Sequence, residues 1–90
     1  MNIIRVAARS RTAAVAGAVA GLFREQGFVE VQAIGAAAVN QALKAIVLAK
    51  GYLAEEGVEI LFVPSMLEVE IEGAERTAVR LTVENKNGKL

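Results

Sequence analysis

Apolar and polar positions alternate with two different periods along this chain, and the switches between them predict six elements. The segment IIRVAAR (3 to 9) opens with β-branched residues and sets Ile4, Val6 and Ala8 on one face, which predicts a strand. Ser10 or Thr12 can cap the helix expected over residues 12 to 26. That helix is apolar nearly all round and rich in small residues (Ala13, Ala14, Ala16, Gly17, Ala18, Ala20, Gly21), a composition that predicts a buried helix with neighbouring backbone close by. Glycine inside a helix costs about 1 kcal/mol relative to alanine, so Gly17 and Gly21 are expected where no larger side chain fits. Packing within the chain and contact between protomers both satisfy that expectation.

Gly27 suits a helix C-cap, and FVEVQAI (28 to 34) alternates as a second strand. A second helix is expected from about Ala36 to Ala54. Steps of about 100° per residue gather Val39, Ala42, Leu43, Ile46, Val47, Ala49 and Leu53 on a broad core arc. Asn40, Gln41 and Lys44 fall with Gly51 and Glu55 on a narrow opposite arc. VEILFV (58 to 63) reads as a strand that Pro64 and Ser65 interrupt before MLEVEIE resumes it, and RTAVRLTVE (76 to 84) pairs back. An odd-length turn around Gly73 to Glu75 would set Val69 opposite Val79, Leu67 opposite Leu81, Glu72 opposite Arg76 and Glu68 opposite Arg80.

The order β-α-β-α-β-β implies an α/β two-layer sandwich. Right-handed crossovers place both helices on one face of a mostly parallel, four-stranded mixed sheet whose last strand returns antiparallel. The other sheet face, with Arg5, Glu30, Gln32 and Arg80, is expected to stay wet. Residues 1 to 84 are read as one domain and residues 85 to 90 as a polar, frayed tail.

Ninety residues bury only about 60 to 65% of the surface of the unfolded chain, so association of copies would add stability. Cysteine, histidine and aspartate are all absent, which removes disulfides, thiolate and histidine metal sites, and the Ser-His-Asp and Cys-His nucleophile systems. A pair of glutamates could still perform acid/base work, but the composition points to a non-enzymatic protein with no cofactor and no small-molecule substrate. The net charge is zero, yet residues 1 to 50 carry +4 and residues 51 to 90 carry −4. Such asymmetry fits a basic binding face, complementary faces through which copies meet, or charges dispersed over a solvated surface.

RSRTAAVAGAVAGLF imitates a secretory signal, but its apolar run is Ala and Gly rather than Leu, and a strand precedes it. Residues 12 to 23 are too few to cross a bilayer, so no membrane partner is expected and a cytoplasmic location is the reading. No phosphate-loop motif is present. Gly35, between strand and helix, could present backbone N–H groups to a phosphate or simply serve the turn. The Arg9-Ser10-Arg11 loop follows a parallel strand, where α/β layers bind ligands, and two arginines there suit phosphates or glutamate partners.

The blocks VAARSRTAAVAGAVAGLFREQG, VQAIGAAAVNQALKAIVLAKGYL and EGAERTAVRLTVE resemble the bacterial stage V sporulation protein S family over residues 3 to 84. Gln32-Ala33-Ile34-Gly35, Asn40-Gln41-Ala42 and Lys44-Ala45 are the most specific part of the resemblance. The resemblance implies a small regulator linked to sporulation and cell division, with no known catalytic residues. It also implies a fold similar to the Alba-type nucleic-acid-binding fold, shared with the C-terminal domain of translation initiation factor three. Alba-like proteins use a basic loop after the first strand, matched here by Arg9 and Arg11. They often add basic residues at the second strand-helix junction and on a two-stranded arm. Here the junction, Ile34-Gly35-Ala36, is uncharged, and the arm carries Glu68, Glu70, Glu72 and Glu75.

The expected function is therefore binding of DNA or RNA through Arg9, Arg11 and Lys44, with Asn40 and Gln41 as hydrogen-bonding partners, by a homo-oligomer (dimer or tetramer). The alternative is a protein-interaction or self-assembling module that ignores nucleic acid.

Overall fold

A computed structural model describes residues 2–88. The elements are β1 (Ile3–Val6), α1 (Thr12–Gln26), β2 (Phe28–Ala33), α2 (Ala36–Ala54), β3 (Ile60–Ile71) and β4 (Ala74–Asn85). Both helices have the expected bounds. Gly27 closes α1 with φ 82°, its N–H bonded to Phe23 O at 2.8 Å. The expected tail begins later than residue 85: Asn85 pairs with Ile60 and the Lys86 N–H donates to Glu59 O, while residues 89 and 90 of that tail lie outside the described residues.

The sheet order is β1-β2-β4-β3. Three strands point the same way, but only β1 and β2 form a parallel pair, because β4 inserts between β2 and β3 and pairs antiparallel with both. β3 thus becomes an edge strand, and this is why it runs unbroken through Pro64, contrary to the expected interruption. A proline lacks the N–H of a central strand but is tolerated at an edge.

One sheet face and both helices share a core. Val6, Val29, Val31, Ala33, Leu81 and Val83 of the sheet meet Val19, Ala20 and Phe23 of α1 and Ala42, Ile46, Ala49 and Leu53 of α2. The helices pack closely because their contact positions are small: Ala16, Ala42, Ala45 and Ala49 are completely buried. α1 is not buried all round. Ala13, Ala14, Gly17 and Ala18 are exposed, and a Cβ at Gly17 or Gly21 would meet nothing within 4 Å, so lack of room does not select these glycines. On α2 the core arc is rotated from the expected one, leaving Leu43 and Val47 exposed.

The long β3–β4 hairpin extends beyond the sheet as an arm. Its turn is Glu72-Gly73, with φ 51° and 82°, the two-residue loop with both φ positive whose twist matches that of the strands. The resulting register shifts every expected pairing: Val69 faces Arg76, Leu67 faces Ala78, Glu68 faces Thr77 and Glu70 faces Glu75.

Candidate nucleic-acid interface

β1 and β2 run parallel, so the loops after them open at the same end of the sheet, and so do the first turns of α1 and α2. The β1–α1 loop is closed on itself. The Ser10 hydroxyl accepts the Ala7 N–H at 2.8 Å and the Ser10 N–H donates to Ala7 O at 3.0 Å, which fixes a turn with Arg9 exposed at its outer side. Ser10 is therefore used for the loop and does not cap the helix. Arg11 occupies the N-cap of α1 with no side-chain hydrogen bond, and the Thr12 hydroxyl is engaged elsewhere.

The start of α2 is equally bare. Gly35 holds the N-cap with φ 90° and ψ 154°, a conformation open essentially to glycine, and makes no side-chain cap. A Cβ at Gly35 would meet nothing within 4 Å, so the backbone angle rather than crowding requires the glycine. Neither helix has an acidic residue in its first turn. Two uncapped helix N-termini thus present unpaired N–H groups and positive dipole ends beside Arg9 and Arg11, an arrangement chemically suited to phosphate oxygens.

Gln41 joins the two loops. Its side-chain nitrogen donates to Ser10 O at 2.8 Å and to Thr12 Oγ1 at 3.2 Å, from a half-buried position one turn into α2. This amide nitrogen is committed to the fold, where it docks α2 against the arginine loop. Asn40 and Lys44, one turn apart on α2, are exposed, and neither they nor Arg9 and Arg11 form a side-chain hydrogen bond or ion pair among the described residues. Arg9, Arg11, Asn40 and Lys44 thus lie free around a junction that Gln41 fastens.

A second polar group lies on the face away from the helices, where the sequence suggested a wet surface. Arg5, Gln32, Arg80 and Ser65 form one row across all four strands. Gln32, at 6% exposure, is buried rather than wet; it donates to Glu30 Oε2 at 2.6 Å and accepts the Arg5 Nε–H at 3.4 Å. Arg80 Nε donates to Ser65 Oγ at 2.9 Å. Strand alternation identifies the face but not the burial of Gln32 on it.

The sequence profile described as Stage V sporulation protein S (SpoVS) matches residues 2–86. Among solved structures, Alba from Thermoplasma volcanium is similar with a TM-score of 0.60 and 18% identity, covering 92% of this chain and 99% of that one. At that identity the likeness concerns the fold, which is Alba-like. No helix among the described residues is long and apolar enough to cross a membrane.

Proposed function

This chain belongs to the stage V sporulation protein S family, and on that premise we propose that it is a small regulatory protein that binds nucleic acid through the end of the sheet where α1 and α2 begin. Arg9, Arg11 and Lys44 contact phosphates, Asn40 hydrogen-bonds the strand, and the bare first turns of both helices supply N–H donors. The observation that carries this reading is the Gln41–Ser10 contact, which ties the polar turn of α2 to the arginine loop. The carboxylates of the arm, Glu68, Glu70, Glu72 and Glu75, take no part in the phosphate contacts in this reading.

Few cationic contacts per copy call for more than one copy. Self-association is favoured by exposed apolar side chains on the flank of α2 and on the helix-side face of β3: Val47 is 67% exposed, Met66 73%, Leu43 36% and Phe62 38%. Phe62 and Met66 share the sheet face of their partners Val83 and Val79, which packs under the helices.

Fluorescence anisotropy with labelled DNA and RNA across salt tests the proposal. Three phosphate contacts per copy give a log-log salt slope of about −2.7 per copy on B-DNA, and replacing Arg9 and Arg11 by alanine removes about two thirds of it. Absence of binding at about 50 mM salt, where phosphate contacts are strongest, would sink the nucleic-acid reading and leave the interaction module.

A further inference from the structure

A cleft of about 540 Å³ opens between the arm and the carboxyl ends of β1 and β2. One wall is formed by Arg5, Ala8 and Ile34, the other by Val69, Ile71 and Ala78. The volume falls within the range of roughly 300–1,000 Å³ usual for small-ligand sites. It continues directly from the arginine loop, since Ala8 precedes Arg9.

The cleft has one oriented cation. Glu30 accepts from the buried Gln32 amide, whose oxygen accepts the Arg5 Nε–H, so a relay of two side chains fixes the guanidinium from below. The two terminal nitrogens of Arg5 make no hydrogen bond or ion pair among the described residues. A guanidinium held by Nε with its outer edge free suits a phosphate. Arg76 lies across from Val69 and adds positive charge on the same face of the arm. Glu70 touches the cleft, but alternation along β3 directs it to the opposite face, toward Glu75.

We propose that this cleft takes one nucleoside phosphate unit, with its base between the apolar walls and its phosphate on Arg5. The proposal rests on the reading of the adjoining loop as a nucleic-acid contact, because a strand lying on Arg9 and Arg11 delivers its next unit there. A stacked base pair would have to be broken to enter, at a cost of a few kcal/mol. The site therefore selects an unpaired unit, either the free end of a strand or a free nucleotide.

The test compares a blunt DNA duplex, the same duplex with an unpaired overhang, and free nucleoside monophosphate. The first two are read by anisotropy, and the third by amide NMR shifts at Ala8, Ile34 and Val69. The protein variants are wild type, Arg5→Ala, Val69→Glu and the double variant Arg9→Ala with Arg11→Ala. Wild type should bind the overhang about tenfold more tightly than the blunt duplex, the worth of one charged hydrogen-bonded contact. Arg5→Ala and Val69→Glu should each abolish that preference and leave blunt-duplex affinity intact, whereas the double loop variant should weaken both probes and keep their ratio. Monophosphate shifts lost in Arg5→Ala, without an overhang preference, assign the site to free nucleotide. Equal affinity for both duplexes together with no monophosphate shifts overturns the proposal, as does a preference that survives Arg5→Ala. If no duplex binds at all, the loop reading fails, and the monophosphate shifts alone decide the cleft.

Discussion

The side-chain nitrogen of Gln41 lies 2.8 Å from the carbonyl oxygen of Ser10, a residue 31 positions earlier, and so couples the first turns of α2 to the loop between Arg9 and Arg11. The contact is short, half-buried and shared with the Thr12 hydroxyl at 3.2 Å. Neither loop has another side-chain tie to α2 among the described residues, so this glutamine sets the spacing between the arginines and the exposed pair Asn40 and Lys44.

Replacing Gln41 by alanine should therefore act on binding more than on folding. Loss of the two hydrogen bonds costs about 1–2 kcal/mol of stability, measured as a shift of the urea midpoint with unchanged m-value. Affinity for DNA or RNA should fall although no cation has been removed, and the salt slope should stay near that of wild type. A salt slope reduced as far as in the Arg9 and Arg11 double variant would show that Gln41 is not acting through geometry.

A register that sets two carboxylates face to face gives a second prediction. Glu70 and Glu75 are direct partners on the arm, and like charges in that relation are destabilising by roughly 0.2–1 kcal/mol. Glu75→Lys converts the repulsion to an attraction and should raise stability by about 1 kcal/mol, seen in thermal melts at low salt and diminished at high salt. Because the proposed contacts lie at the loop end, this variant should leave the salt slope of nucleic-acid binding unchanged. A steeper slope would place the arm against the phosphates.

The same arm shows where the residues themselves were readable and where they were not. The helix bounds followed from Gly27, Gly35 and the apolar periodicity, which are local signals. The hairpin register did not: the expectation matched Val69 with Val79 and Leu67 with Leu81 as well as Glu72 with Arg76 and Glu68 with Arg80, and neither the apolar matches nor exposed ion pairs, which are worth little, fix the turn. The Glu72-Gly73 turn, with both φ positive, overrides them. On α2, a hydrophobicity wheel ranks Leu43 and Val47 above alanine. The helix instead turns Ala38, Ala42, Ala45 and Ala49 inward, where small side chains allow α1 and the sheet to approach. The loop arginines were legible as a candidate site from their place after a parallel strand. The docking role of Gln41 was not, since its partners Ser10 and Thr12 lie 31 and 29 positions away, nor was the burial of Gln32, which is flanked by Arg5 and Arg80 of two other strands.

The exposed apolar flank of α2 supplies a third prediction. Val47 and Met66 are the most exposed of the large apolar residues, and an isolated chain gains nothing from them. Wild type should sediment as a dimer or tetramer, and Val47→Asp with Met66→Asp should shift it to monomer with little change in the fold by circular dichroism. Salt should have a minor effect on the assembly, because the contact is apolar. A wild type that is monomeric at every concentration and salt removes self-association from the proposed function.

At the opposite end of the helices, Arg24 and Glu56 give a pH dependence whose sign is fixed. The Arg24 guanidinium contacts both carboxylate oxygens of Glu56, through Nε at 3.0 and 3.1 Å and through its terminal nitrogen at 2.6 Å, tying the last turn of α1 to the turn after α2. That hydrogen bonding, with the attraction of the guanidinium, holds the Glu56 carboxyl below its ordinary value and raises the arginine above its own. A carboxyl lowered in the folded state binds protons more readily when unfolded, so its contribution is complete above the ordinary carboxylate range. The contribution is lost as pH falls through the lowered folded value. Both side chains are about half exposed, so the effect is modest and screened by salt. Urea midpoints measured from neutral pH down through that range should fall less steeply for Glu56→Gln than for wild type, with the two curves meeting at the acid end. Parallel curves would mean that the pair contributes no linkage.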